Sequence, residues 1–210
     1  MAERRPIATR ETGWAKSLAA RLARAGLSAN GISILSIVFA AGAAAALLVS
    51  DGPAWRAWLV LAALGIQLRL LCNMFDGMVA VEHDRATPEG ALYNEVPDRI
   101  ADPLLIVPAG YATGLPFGPE LGWLCGLLAL FTAYIRALGG AAGLPQGFQG
   151  PMAKPHRMAA MTAGLIAAAL AVPLGLDGAA LAATLTLIAL GALVTAWRRT
   201  SAILRALGTS

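Results

Sequence analysis

A chain of 210 residues that is 58% hydrophobic and 13% charged, with a mean hydropathy of +0.66, is not an ordinary soluble domain, which carries about 25% charged residues. The net charge of +4 does not describe a nucleic-acid binder. The basic residues sit at the ends of apolar segments, where they meet anionic lipid heads or phosphate. Cys72 and Cys125 fall inside apolar segments and read as packing residues, with neither a disulfide framework nor a metal knuckle.

The first 26 residues are basic, with Arg4, Arg5, Arg10, Lys16, Arg21 and Arg24. No apolar core with a cleavage site follows at the distance a signal peptide needs. Trp14, Leu18, Leu22 and Ala25 share one side of a possible helix lying on the membrane surface, although Arg21 falls on the same side; an irregular basic arm is the alternative. Nothing is charged between Arg24 and Asp51, which predicts a first span from about Gly31 to Ser50. The second runs from about Trp55 to Ala80 and contains Arg69 and Asp76; the third runs from about Ala91 to Thr113, with Pro97, Pro103 and Pro108 as expected kinks. A fourth covers about Leu121 to Leu138, with Arg136 near its end, a fifth Met158 to Leu176 and a sixth Ala179 to Trp197, the last two parted by a tight turn at Asp177-Gly178. Trp55, Trp58, Trp123 and Trp197 lie near span ends as interfacial anchors.

The fold class predicted is an all-α integral membrane protein of six transmembrane helices with an N-terminal juxtamembrane helix. Its parts are a basic arm and juxtamembrane helix over residues 1–30, a membrane domain over 31–198 and a tail over 199–210. Arg85, Lys154, Arg157, Arg198, Arg199 and Arg205 share a side with the N-terminus, while the opposite loops offer little beyond Arg56. By the positive-inside rule both termini are cytoplasmic, in a multi-pass protein of the inner membrane.

The chemistry concentrates in Asn73-x2-Asp76-Gly77-x2-Ala80-Val81-x8-Gly90-x3-Asn94-x3-Asp98. Arg69, Asn73, Asp76 and Ala80 are spaced by four, three and four residues and make one helical stripe, and Asn94, Glu95, Asp98 and Asp102 share a side of the next span. A charge at the centre of a span costs on the order of 3 kcal/mol to insert. Several in adjacent spans therefore point to function, although Arg69 is also suited to pairing with Asp76 or Asp98 and holding the bundle together. Carboxylate and amide oxygens on two helices are hard donors for Mg²⁺ or Mn²⁺. Gly77 and Gly90 remove side chains where a bulky substrate would approach the backbone, and Lys154 and Arg157 stand ready for phosphate. Metal, base and cations together are the parts of a phosphoryl-transfer site.

The spacing resembles the signature of the CDP-alcohol phosphotransferase family, Asp-x2-Asp-Gly-x2-Ala-Arg-x8-Gly-x3-Asp-x3-Asp. Every interval is kept. Asp76, Gly77, Ala80, Gly90 and Asp98 match, Asn73 and Asn94 replace aspartates, and Val81 replaces the arginine. Ser28-Ala29-Asn30 and Gly150-Pro151-Met152-x-Lys154-x2-Arg157 extend the likeness over about residues 12 to 200. The resemblance implies transfer of a phosphatidyl group from a CDP-linked donor, CDP-diacylglycerol in many bacterial members, to an alcohol, with release of CMP at the cytoplasmic face. It implies Asn73, Asp76, Asn94 and Asp98 at metal positions, Asp98 as general base, and Gly77, Ala80 and Gly90 beside the donor, with Lys154, Arg157, Arg69 and Arg136 as substrate-binding cations. It also implies a homodimer among membrane lipids, and no nucleic-acid partner.

Two amides in place of carboxylates remove two negative charges, so the empty site should hold its metal less tightly and take donor and metal together. Glu82, Glu95 or Asp102 are candidates to substitute, and Arg69 and Arg85 to compensate for Val81. His83 and His156 read as loop residues or phosphate contacts, and Arg136 as an acceptor-phosphate contact or a side chain reaching for the lipid heads. The acceptor alcohol is not written in the sequence. The other functional classes are an inactive relative acting as a lipid-binding or assembly subunit, and a small transporter with Arg69, Asp76 and Asp98 along its path.

Overall fold

The computed structural model describes residues 8–49, 52, 54–82, 87–145, 147 and 149–208. Those residues form seven α-helices and two 3-10 turns, with no strand among them. Five helices are long and apolar enough to cross a membrane: α2 (Ala29–Leu48), α3 (Trp55–Glu82), α5 (Gly118–Ala141), α6 (Lys154–Ala171, running on through a 3-10 turn at Val172–Leu174) and α7 (Asp177–Gly208). The sixth long helix, α4 (Gly90–Tyr111), is not one of them, because Glu95, Asp98, Arg99 and Asp102 fill its first half. It is a continuous helix with Pro97, Pro103 and Pro108 inside it.

Contacts set the six long helices in a ring, in the order α2, α3, α6, α7, α5, α4 and back to α2. Close approach round the ring depends on residues without bulk. A Cβ on Gly122 of α5 would stand 2.8 Å from the Val107 carbonyl of α4, and one on Gly65 of α3 would stand 2.8 Å from the Ala43 Cβ of α2. Small residues at these crossings let backbones pack where lipid offers no hydrophobic drive. Helices α3 and α4, joined in sequence through residues 83–89, barely touch through their backbones. Side chains span the gap between them.

The short helix α1 (Gly13–Arg24) is present, and it packs inward through alanines. Ala15, Ala19 and Ala23 are buried against Cys72, Phe75 and Val79 of α3, while Trp14 and Leu18 stay largely exposed. Alanines let the helix lie close on α3, and the large side chains remain for lipid. Trp14 meets Phe75 edge-on with ring centroids 6.2 Å apart. Lys16 donates to Glu11 at 2.7 Å and holds that carboxyl below its ordinary range.

At the far end the turn between α6 and α7 falls earlier than Asp177-Gly178. Gly175 takes the left-handed conformation at φ 66° that ends the 3-10 turn. Asp177 instead opens α7 and accepts from the Trp55 Nε1 at 2.8 Å. Trp55 is thus a buried latch between α3 and α7, whereas Trp123 and Trp197 are exposed as interfacial anchors would be. Gly178 is needed for packing, since a Cβ there would stand 2.2 Å from the Thr113 carbonyl.

Candidate active site

The starts of α2, α4 and α6 and the ends of α3, α5 and α7 come together at one end of the ring, where their polar side chains converge. The inner layer is built on Asp102 of α4, 1% exposed. Its Oδ1 accepts from Arg69 of α3 at 2.6 Å, and its Oδ2 accepts from Arg157 of α6. Arg69 is fully buried and also donates to Asp98 Oδ1 at 3.0 Å and to the Met158 sulfur at 2.9 Å. Arg157 donates its second terminal nitrogen to the Met152 carbonyl at 3.3 Å. The Nε–H of both arginines finds no acceptor among the described residues.

One turn nearer the end, Asp98 gathers three donors. Arg69 and the Asn73 amide, the latter at 3.1 Å, share Oδ1, and Lys154 donates to Oδ2. Asp76, 4% exposed, is held from the other side: Ser33 of α2 donates to its Oδ2 at 2.7 Å. The i, i+3 relation of Asn73 and Asp76 puts both on one side of α3, where Asn73 meets α4 and Asp76 meets α2. Lys154 and Asp98 lie near enough for their charges to act on Asp76.

A second cluster lies beside the first. Glu95 of α4 accepts from Arg136 of α5 at 2.5 and 2.6 Å, and from Arg99 one turn along its own helix. Arg199 of α7, buried, donates to the Thr132 carbonyl at 2.6 Å and the Gln149 carbonyl at 2.9 Å. Arg136, Arg199 and Gln149 border a cavity of about 220 Å³ between α5, the α5–α6 loop and α7.

Asn73, Asp76, Asp98, Lys154, Arg69 and Arg157 are therefore brought together. Arg69 and Arg157, expected as substrate contacts, are instead sealed inside ion pairs with the two α4 carboxylates. Gly77, Ala80 and Gly90 are half-buried along the same helices. Asn94 is exposed, and no hydrogen bond among the described residues ties it to the cluster. Arg136 belongs to the Glu95 cluster. His156 is exposed; His83 and Arg85 lie outside the described residues.

Sequence reasoning missed Ser33 and Arg199. Nothing along α2 announces that Ser33 faces Asp76. Arg199 carried a signal that a tail assignment hid: Thr195 lies one turn before it, inside an apolar helix, and that hydroxyl accepts from the Met152 backbone at 2.9 Å.

The donor set suits a hard cation only in part. Asp76, Asp98 and the Asn73 amide offer oxygen of the right kind for Mg²⁺ or Mn²⁺. Among the described residues, however, no group of three or more Asp, Glu, His or Cys is close enough to hold a metal alone. The residues fit a cation whose coordination is completed by oxygens of a ligand.

No family model matches the sequence, and no curated protein does. Solved structures do. Three crystal structures of the Mycobacterium tuberculosis phosphatidylinositol phosphate synthase PgsA1 align with 90% of this chain. The form with manganese and citrate has a TM-score of 0.75 at 23% identity over 88% of its own length. The form with CDP-DAG bound gives 0.71 at 22% over 92%, and the apo form 0.70 at 22% over 95%. The chain has the fold of this synthase. Identity below one quarter makes the likeness one of fold, and the chemistry must be argued from the residues described above.

Proposed function

We propose that this protein is a metal-dependent CDP-alcohol phosphotransferase that moves a phosphatidyl group from CDP-diacylglycerol to an alcohol and releases CMP. The observation that carries the reading is the contact of Asn73 of α3 with Asp98 of α4, with Asp76 buried one turn along α3, at the motif spacing, in a fold shared almost end to end with a phosphatidylinositol phosphate synthase.

Asp76 and the Asn73 carbonyl oxygen would hold Mg²⁺ or Mn²⁺ with Asp98 beside them, and Asn94 would join only if the first turn of α4 moved inward. The bound cation supplies neutralisation of the charge that builds on departing CMP. Ser33 holds Oδ2 of Asp76 in place. Lys154, the partly exposed cation of the cluster, binds the diphosphate. Gly77, Ala80 and Gly90 leave room for the nucleotide against the helix backbones. Asp98 accepts the proton of the acceptor hydroxyl as its oxygen attacks the lipid-side phosphorus; the bond from that phosphorus to the CMP oxygen breaks, and the proton passes on to solvent. Arg69 and Arg157 hold Asp98 and Asp102 in place.

Arg99 and Arg136 share the Glu95 carboxylate, and Arg199 joins Arg136 at the border of the 220 Å³ cavity, which leaves a surplus of positive charge there. This favours an acceptor that itself bears a phosphate. We further propose six membrane spans, with α4 completing them because its charges face the ring interior. The arm over residues 1–30 and the membrane domain from residue 31 go with that arrangement, the domain extending past 198 to include the buried Arg199 of α7, with both termini and the site on the cytoplasmic side of the inner membrane. A homodimer follows from the family resemblance.

Purified protein given CDP-diacylglycerol and Mn²⁺ with a panel of alcohols, neutral and phosphorylated, tests the reading. CMP release with a new lipid in the mass spectrum, strongest with an alcohol phosphate and stopped by EDTA, is expected. The three donors on Asp98 favour one other reading, a lipid-binding relative without turnover. Metal-dependent CDP-diacylglycerol binding with no CMP release from any alcohol would decide for it.

A further inference from the structure

We infer that Asn73 and Lys154 make cation binding conditional on the diphosphate: the resting cluster is electrically complete, and a divalent ion enters only together with a CDP-linked ligand. The proposal rests on the transferase reading and concerns the order in which its site assembles.

Three cations, Arg69, Lys154 and Arg157, face three carboxylates, Asp76, Asp98 and Asp102, so the cluster has no net charge. Every polar group on Asp98 is a donor: Arg69 at 3.0 Å, the Asn73 amide at 3.1 Å, and the Lys154 ammonium on the other oxygen. A bare divalent ion would leave two uncompensated positive charges among buried cations, and it would have to take Asp98 from a donor already bound. A diphosphate diester alone would leave two negative ones. Ion and diester together restore neutrality.

The parts differ in freedom to respond. The side chains of Arg69 and Arg157 are 0% and 2% exposed and locked to Asp102, whereas that of Lys154 is 27% exposed. Lys154 is the cation able to leave Asp98 for an arriving phosphate, which frees an Asp98 oxygen for the ion. Asn73 sets the rest. A carboxylate in its place would put a second anion within hydrogen-bond distance of Asp98, and the pair would call for a cation with no nucleotide present. Exchange of one amide nitrogen for oxygen thus separates a site that binds metal by itself from one that waits for its substrate.

The test measures thermal unfolding of the full chain in detergent, and free Mn²⁺ by electron paramagnetic resonance, in EDTA, with Mn²⁺, with CDP-glycerol, and with both. For wild type, Mn²⁺ alone should leave the midpoint within about 1 °C of EDTA, and Mn²⁺ with CDP-glycerol should raise it by about 5 °C or more. Asn73→Asp should be raised by Mn²⁺ alone and take up Mn²⁺ at least about 10-fold more tightly without nucleotide than wild type does. Lys154→Gln should move the same way through the other partner of Asp98, and carries the comparison if Asn73→Asp does not fold. Equal stabilisation of wild type by Mn²⁺ with and without CDP-glycerol would overturn the inference and leave the transferase standing. Absence of any response to the two together would overturn both.

Discussion

Asp98 and Asp102 are one turn apart on α4, both paired with Arg69, yet their surroundings differ in kind. Asp102 is closed off by two arginines that are themselves buried, with no side chain able to leave. Asp98 shares Arg69 but completes its shell with an amide and a lysine that reaches the surface. The inner carboxylate ties α3, α4 and α6 together across the centre of the ring, and the outer one is left with exchangeable partners. The same side chain in the same helix serves cohesion or chemistry according to whether its counter-charges can move.

The difference is broken most severely at the inner layer. Asp102→Asn should cost about 3–5 kcal/mol, because it leaves Arg69 and Arg157 buried with a charge short. The expected result is loss of folded protein in a detergent melt. Asp98→Asn should instead keep most of the stability and lose turnover by about 10²–10⁴-fold, the usual worth of a general base. Equal loss of stability in the two would erase the distinction drawn between them. Arg199→Met, at the edge of the 220 Å³ cavity, should raise the KM for a phosphorylated alcohol by at least about 10-fold and leave the KM for CDP-diacylglycerol unchanged. The smallest effect is expected for Ser33→Ala. It removes one hydrogen bond to Asp76 and should weaken Mn²⁺ binding in the presence of CDP-glycerol by less than about 10-fold, with Ser33→Thr restoring it.

The apolar spans were legible because charge is sparse in them, absent altogether between Arg24 and Asp51, and the bounds expected for the second agree with α3 to within two residues. The nearness of Asn73 to Asp98 was legible because the two lie on consecutive segments at a fixed interval. What sequence did not disclose lies across the ring. Ser33 is 43 residues from Asp76, and Trp55 is 122 residues from Asp177; no local periodicity encodes either contact. Arg69 was open to two readings, substrate contact or internal pair, because spacing fixes the face of a helix but not what stands opposite. The alanine face of α1 went unread for a similar reason. Against a protein surface small residues point inward, and the large ones that would ordinarily mark a core face lipid instead. The amide at Asn73 looked like a loss of metal-binding charge along the chain. In the fold it is also a gained donor, at a place where two carboxylates about 3 Å apart would repel by roughly 5 kcal/mol at an effective dielectric of ~20.

The central claim is that Asp98 does chemistry at the meeting of α3 and α4. The most direct measurement is CMP release from CDP-diacylglycerol with Mn²⁺ and an alcohol phosphate, by wild type and Asp98→Asn proteins of matched thermal stability. Wild type is predicted to release CMP in step with the new lipid, and the variant at about one hundredth of that rate or less. Equal rates in the two proteins would contradict the account.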